Sequence, residues 1–216
     1  MRSKAIEAYK LHLQLSDYQR EIVIGLLLGD GHLETQNNSR TYRLKIEHSN
    51  LQKEYVEWLY QIFKDWVLTG PQKKLQVVNG VKYEKYWFST VSHGAFRFYA
   101  QQFYLERRKI LPRLIGKWLT PLAIAIWFMD DGSIKSKRHR ALILNTQSFT
   151  KAELVKLIDI LHKKQGIEAS LRKQRNLYQL LVTGESAEKL ANLIKPYILP
   201  SMQYKLGILG THLPKM

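Results

Sequence analysis

Hydrophobic positions fall into two kinds of run along the chain. Ile22–Leu28 and Leu122–Met129 are apolar at nearly every position, as expected of helices buried on all sides. Other segments alternate, such as Tyr42-Arg43-Leu44-Lys45-Ile46-Glu47, the period-two mark of a half-buried strand. Cap and turn residues punctuate these runs. Ser16-Asp17 starts the first apolar helix, and Thr120-Pro121, a cap followed by proline, starts the second. Asn79-Gly80, set between Lys74–Val78 and Val81–Thr90, predicts a hairpin. Further strands are expected near His32–Thr35, Ser133–Lys137, Arg140–Asn145, Ile167–Lys173 and Leu177–Thr183. Further helices are expected over Leu51–Val67 (capped by Asn50), Gly94–Tyr104, Lys151–Lys164 (capped by Ser148, ended by Gly166) and Glu185–Lys195.

Read in order, these elements spell αββαββα twice. The fold class is therefore α+β, with an N-terminal half over 1–116 and a C-terminal half over 117–216. Ile46-Glu47-His48-Ser49-Asn50-Leu51 lies over Leu144-Asn145-Thr146-Gln147-Ser148-Phe149, and Tyr86–Phe98 over Tyr178–Leu190. The agreement is in pattern, not in identity. A repeat of roughly 100 residues is too long for a solenoid and predicts two related halves in one pseudo-two-fold body.

Charge narrows the function. Lys and Arg number 34 against 18 Asp and Glu, a net charge of +16, which repels itself unless a polyanion answers it. Nucleic acid is the partner this predicts. A membrane surface is disfavoured, because no segment joins a basic face to an exposed apolar one, and no apolar run approaches the ~20 residues of a membrane span. The absence of cysteine excludes disulfides, thiolate catalysis and cysteine-based zinc sites.

The two apolar helices end alike, in Gly29-Asp30-Gly31 and Asp130-Asp131-Gly132. A single Asp-Gly after a helix is an ordinary turn. Two in equivalent places are not so easily dismissed, because a carboxylate at a helix C-terminus meets the negative end of the dipole at a cost of roughly 0.3–1 kcal/mol. A divalent cation would reverse that cost, and oxygen ligands beside a phosphate-bearing partner point to Mg²⁺. Gly25 and Gly29, four apart, would let another helix approach and bring Asp30 and Asp131 together.

These residues carry a family resemblance. Val23-Ile24-Gly25-Leu26-Leu27-Leu28-Gly29-Asp30-Gly31 and Ile124-Ala125-Ile126-Trp127-Phe128-Met129-Asp130-Asp131-Gly132 resemble the two copies of the LAGLIDADG motif of homing endonucleases and intron maturases. Leu144-Asn145-Thr146-Gln147-Ser148-Phe149-Thr150 and Ile194-Lys195-Pro196-Tyr197 extend the likeness, which runs from about Leu15 to Leu206. It is nearest to the single-chain, two-motif type encoded by an intron of the yeast mitochondrial large-rRNA gene. The second copy departs at Ile126, where the motif has glycine, so that Ile126 is expected to nest against a small position on the partner helix.

The resemblance implies a homing endonuclease fold whose sheets form a saddle over DNA. It implies that Asp30 and Asp131 hold two or more divalent cations, with the backbone carbonyls of Gly29 and Asp130 beside them. Mg²⁺ is the expected cofactor, and Ca²⁺ is expected to bind without turnover. Peripheral basic residues fall by similarity on Lys109 and Lys205, and a water-positioning amide on Gln147. DNA contacts are expected from the basic strands: Arg40, Arg43, Lys45, Lys73, Lys74, Lys82, Lys85, Lys135, Lys137, Arg138, Arg140, Arg172, Lys173 and Arg175. The implied activity is hydrolysis of both strands of a long asymmetric duplex site by a monomer, in support of intron homing. An RNA maturase bound to intron RNA and a non-cleaving DNA-binding regulator are the alternatives. The expected setting is intracellular, in an organelle or a prokaryotic cytoplasm.

Overall fold

Caps and turns written into the sequence place most element boundaries in the computed structural model, which describes residues 4–136 and 139–210. After a short helix α1 (Lys4–Lys10) come α2 (Asp17–Leu28), β1 (His32–Glu34), β2 (Arg43–Ser49), α3 (Lys53–Ile62), β3 (Gln72–Val78), β4 (Val81–Ser89) and α4 (Arg97–Phe103). A two-residue pair, β5 (Tyr104–Leu105) and β6 (Arg108–Lys109), and helix α5 (Ile115–Trp118) follow. The order then restarts with α6 (Pro121–Asp131), β7 (Gly132–Ile134), β8 (Ala141–Leu144), α7 (Lys151–Gln165), β9 (Ser170–Gln174), β10 (Leu177–Thr183) and α8 (Gly184–Ile194). The αββαββα order is present twice. Among the described residues no helix is long and apolar enough to cross a membrane.

By compactness the chain divides into one unit of Met1–Val23 with Asp30–Gln101, and a second of Ile24–Gly29 with Gln102–Met216. The first holds an antiparallel sheet in the order β1-β2-β4-β3. Leu44, Ile46, Tyr86 and Phe88 point from it toward Tyr55, Val56 and Leu59 of α3, all buried. The Asn79-Gly80 turn has φ values of 52° and 78°, the left-handed pair that a two-residue hairpin requires. The second unit repeats the plan in the order β7-β8-β10-β9. Leu142, Leu144, Leu180 and Val182 face its core with Leu190, Ala191 and Ile194 of α8.

The glycine spacing of the first motif finds its reason in this second unit. A Cβ on Gly25 would lie 2.5 Å from Ile126 Cβ and 2.6 Å from the Ala123 carbonyl. A Cβ on Gly29 would lie 2.5 Å from Asp130 Cβ. Ile126 thus nests on a glycine, as its place in the motif leads one to expect.

Two caps sit elsewhere than the sequence suggests. Ser49, not Asn50, caps a 3₁₀ turn over Asn50–Gln52, and α3 begins only at Lys53 and stops at Ile62. Thr150, not Ser148, caps α7, because it forms a complete capping box with Glu153, which also accepts from the Leu111 N–H.

Candidate functional site

Asp131 is the last residue of α6, and Asp30 lies two residues beyond the end of α2. The carbonyls at such helix ends have no partner within the helix. Lysines take them. Lys109 Nζ donates to the Gly29 carbonyl at 2.6 Å, and Lys205 Nζ donates to the Asp130 carbonyl at 2.9 Å and to that of Met129. Both lysines are half-buried, and they reach these points by unlike routes. Lys109 sits on β6, delivered by a turn in which Glu106 and Arg107 both have positive φ (48° and 70°). Lys205 sits in the 3₁₀ coil Pro200–Gly210. Each ammonium places a positive charge at the negative end of a helix dipole.

In the first unit Asp30 borders an open groove of about 420 Å³ with His32, Lys45, Glu47, His48 and Lys85. Its side chain is 51% exposed, with Oδ2 3.6 Å from Nδ1 of the buried His48. The sequence reading passed over His48, because an alternating strand gives no sign of which polar residue faces a carboxylate. In the second unit Asp131 meets an amide instead. Asn145 Nδ2 donates to the Asp131 carbonyl at 2.9 Å. Gln147 Nε2 donates to Gln174 Oε1 at 2.8 Å and lies 3.5 Å from Asn145 Oδ1.

Each aspartate taken by itself offers oxygen donors that suit a hard divalent cation: Asp30 an exposed carboxylate, and Asp131 a half-buried one next to the Asp130 carbonyl. Among the described residues no three His, Asp or Glu side chains form a metal cage by themselves. A cation here would complete its shell with water and phosphate.

Strand register sorts the basic residues. Side chains paired across an antiparallel ladder share a face. Lys74 pairs with Lys85, and Lys45 with Ser89, on the face opposite the buried Tyr86 and Phe88. Lys73 pairs with Tyr86 and Lys82 with Val77, which puts both on the helix-covered side. Likewise Arg172 pairs with Gln179 while Lys173 pairs with Tyr178, so the two point to opposite faces. Arg175 occupies the β9–β10 turn at φ 55°, and Arg40 and Lys135 are exposed. Arg140 is engaged by Glu188 at 2.6 Å. Lys137 and Arg138 lie outside the described residues. Counting charges missed an apolar tip on the Lys74–Lys85 face, where Val78, Val81 and Tyr83 are 43%, 51% and 49% exposed. Such side chains fit thymine methyl groups.

Arg43 and Lys45 are held in place by acid neighbours. Arg43 donates to Glu34 Oε2 through two nitrogens (2.9 and 2.7 Å), and Lys45 lies 3.4 Å from Glu34 Oε1. Burial pushes the Glu34 carboxyl up. Hydrogen bonds from Arg43 and His32 and the charges of Lys45 and Arg43 outweigh it and hold the group at about 2, against an ordinary 4.5. A depressed carboxyl contributes stability above its unfolded value and loses it as pH falls toward the folded one. Unfolding free energy is therefore expected to fall between pH 4.5 and about 2. Glu34→Gln should flatten that stretch of the curve, measured by denaturant titration at each pH. Solvent screens the half-exposed group, so the change should be a fraction of what the full shift implies.

Comparison with known proteins places this geometry. The chain is 32% identical over 213 residues to a probable intron-encoded endonuclease of Wickerhamomyces canadensis, covering 94% of this chain and 90% of that protein. It is 33% identical over 196 residues to a cytochrome b mRNA maturase of Debaryomyces hansenii, covering 87% and 72%. Its fold superposes on the homing endonuclease I-WcaI, solved bound to its DNA recognition sequence, with TM-score 0.90, 31% identity, and 95% and 93% coverage. Residues 20–190 match the model of the LAGLIDADG DNA endonuclease family, a span that takes in Asp30, Asp131 and both four-stranded sheets, and the chain belongs to that family.

Proposed function

We propose that this protein cuts both strands of duplex DNA at one long, asymmetric site, by divalent-metal-dependent hydrolysis, and so supports the homing of a mobile intron. The observation that carries the reading is the twofold pairing at the motif helices. Asp131 closes one and Asp30 follows the other by two residues, and a lysine ammonium lies on the carbonyl just before each aspartate. Such an arrangement gathers negative ligands for cations and positive charge for a phosphate at the same chain positions.

Asp30 and Asp131 would hold the cations, with Mg²⁺ the natural choice among oxygen-loving ions, and the Gly29 and Asp130 carbonyls beside them. Bound there, the cation supplies Lewis-acid charge at the scissile phosphate and eases deprotonation of water near neutral pH. The ammonium charges of Lys109 and Lys205 would stabilise developing phosphate charge or order solvent around it. Gln147, with Nε2 bonded to Gln174, would orient water through its Oε1. The open faces bearing Lys45, Lys74, Lys85 and Arg172 read base edges and track phosphates. Because one chain carries both motifs, in halves we read as 1–116 and 117–216, a monomer suffices. An organelle is the expected setting.

The likeness to an mRNA maturase keeps intron RNA as the competing partner. A-form RNA hides its major groove from side chains, so these strands could not read it as they would B-DNA. The test begins with a duplex that the protein selects from a randomised pool. Scrambled duplex and structured intron RNA then compete for binding across a salt series. Scrambled DNA should be stripped first as salt rises, since phosphate contacts each weaken by roughly 0.9 log units per decade of salt. The selected duplex should be cut on both strands in Mg²⁺ and held uncut in Ca²⁺. If RNA outcompetes the duplex at every salt and nothing is cut, the maturase reading replaces this one.

A further inference from the structure

The second motif helix ends in a hydrogen-bond relay that the cutting reaction as described does not use. The Asp131 carbonyl accepts from both the backbone N–H (3.0 Å) and the Nδ2 (2.9 Å) of Asn145. A carbonyl can only accept, so the Asn145 amide is fixed with Nδ2 toward Asp131 and Oδ1 away from it. That oxygen accepts in turn from Gln179 Nε2 at 2.5 Å, which fixes the second amide in the same sense. Gln179 is only 4% exposed, although it shares a sheet face with Arg172. Its Oε1 is buried and accepts no hydrogen bond among the described residues.

As a space-filler Gln179 is a poor choice. Methionine would occupy the same volume without burying an unanswered oxygen. The fold does not require the relay either. In the first half the sequence positions that match Asn145 and Gln179 are Glu47 and Trp87. A carboxylate there cannot donate to a carbonyl, and Asp30 is met by His48 instead.

We propose that Asn145 and Gln179 are positioning residues for Asp131. Two donors on one carbonyl pin the backbone of the last helical residue, and with it the direction of the Cα–Cβ bond and the carboxylate. Gln179 holds Asn145 in the orientation that makes this possible. The inference rests on the cutting reading above, because it assigns the pair to a carboxylate that holds a cation.

The test uses the full chain and a duplex selected by the protein from a randomised pool. Ca²⁺ uptake by the complex is followed by calorimetry, and single-turnover cleavage is followed in Mg²⁺. Asn145→Ala is expected to weaken Ca²⁺ uptake about 10-fold or more and to slow cleavage about 10–100-fold, the range for residues that orient metal ligands. Duplex affinity in EDTA should stay near that of the wild type. Gln179→Met should give a smaller loss in the same two readouts, with an unchanged melting temperature. If Asn145→Ala melts early, Gln179→Met decides by the same criterion. Unaltered Ca²⁺ uptake and cleavage in the well-folded variants would overturn the assignment alone. A wild-type complex that takes up no Ca²⁺ and cuts nothing would overturn the cutting reading and this one together.

Discussion

Asp30→Asn and Asp131→Asn are each expected to lower the cleavage rate by about 10³-fold or more while duplex binding persists. An amide keeps the shape of the side chain and loses the charge that retains a divalent cation. The Lewis-acid contribution of such a cation is several kcal/mol, which sets the scale of the loss. Binding should survive, because the basic strand faces are untouched. It could rise, since the substitution removes a negative charge that the helix end disfavours by roughly 0.3–1 kcal/mol. Single-turnover cleavage and equilibrium binding, measured on the same duplex, separate the two effects. Near-normal cutting by both variants would mean that neither carboxylate holds the metal.

The largest stability effect is expected at Gly25. In a free helix, Gly→Ala gains about 1 kcal/mol, so propensity alone favours the change. Sterics oppose it and win. The new methyl would lie 2.5 Å from Ile126 Cβ and 2.6 Å from the Ala123 carbonyl, in a region where Ile24, Leu26, Ala123 and Ile126 are all buried. Overpacking of this kind costs about 1–3 kcal/mol and sometimes more, because neighbouring backbone must move. Gly25→Ala should therefore destabilise by about 2 kcal/mol or more in urea. Adding Ile126→Ala should restore only part, since the Ala123 carbonyl is backbone and cannot be trimmed. Wild-type stability in Gly25→Ala would show that the two segments can separate at little cost.

The repeated αββαββα order was legible because each half announces itself through local physics: two continuous apolar helices, alternating strands and an Asn-Gly turn. The place of Asp30 and Asp131 at the ends of the two apolar helices was legible from the run of apolar residues before each. What stayed hidden depends on long-range geometry. The β5–β6 turn that carries Lys109 uses Glu106 and Arg107 at positive φ, where no glycine or asparagine signals a turn. Thr150 displaced Ser148 as a cap because Glu153 completed the box with Thr150 alone. Lys73 and Lys82 appeared equivalent to Lys74 and Lys85 in a list of charges, and only the strand register divides them. His48 and Asn145 meet their aspartates across 18 and 14 residues of sequence, through sheet pairing that no short window contains.

The seating of Ile126 on Gly25 also bears on ancestry and engineering. Gly25 and Ile126 are equivalent positions of the two motif copies, so a homodimer built from one motif helix must place this residue against its own copy across the symmetry axis, glycine on glycine or isoleucine on isoleucine. Glycine against isoleucine is a lock-and-key pair that symmetry forbids and a fused gene permits. Once such a pair exists, the two motif helices are no longer interchangeable parts. Chimeras that graft one half onto a relative's other half should fold only when the donor brings a complementary residue at this position. The same loss of symmetry frees each sheet to drift toward its own sequence, so that the target need not be a palindrome.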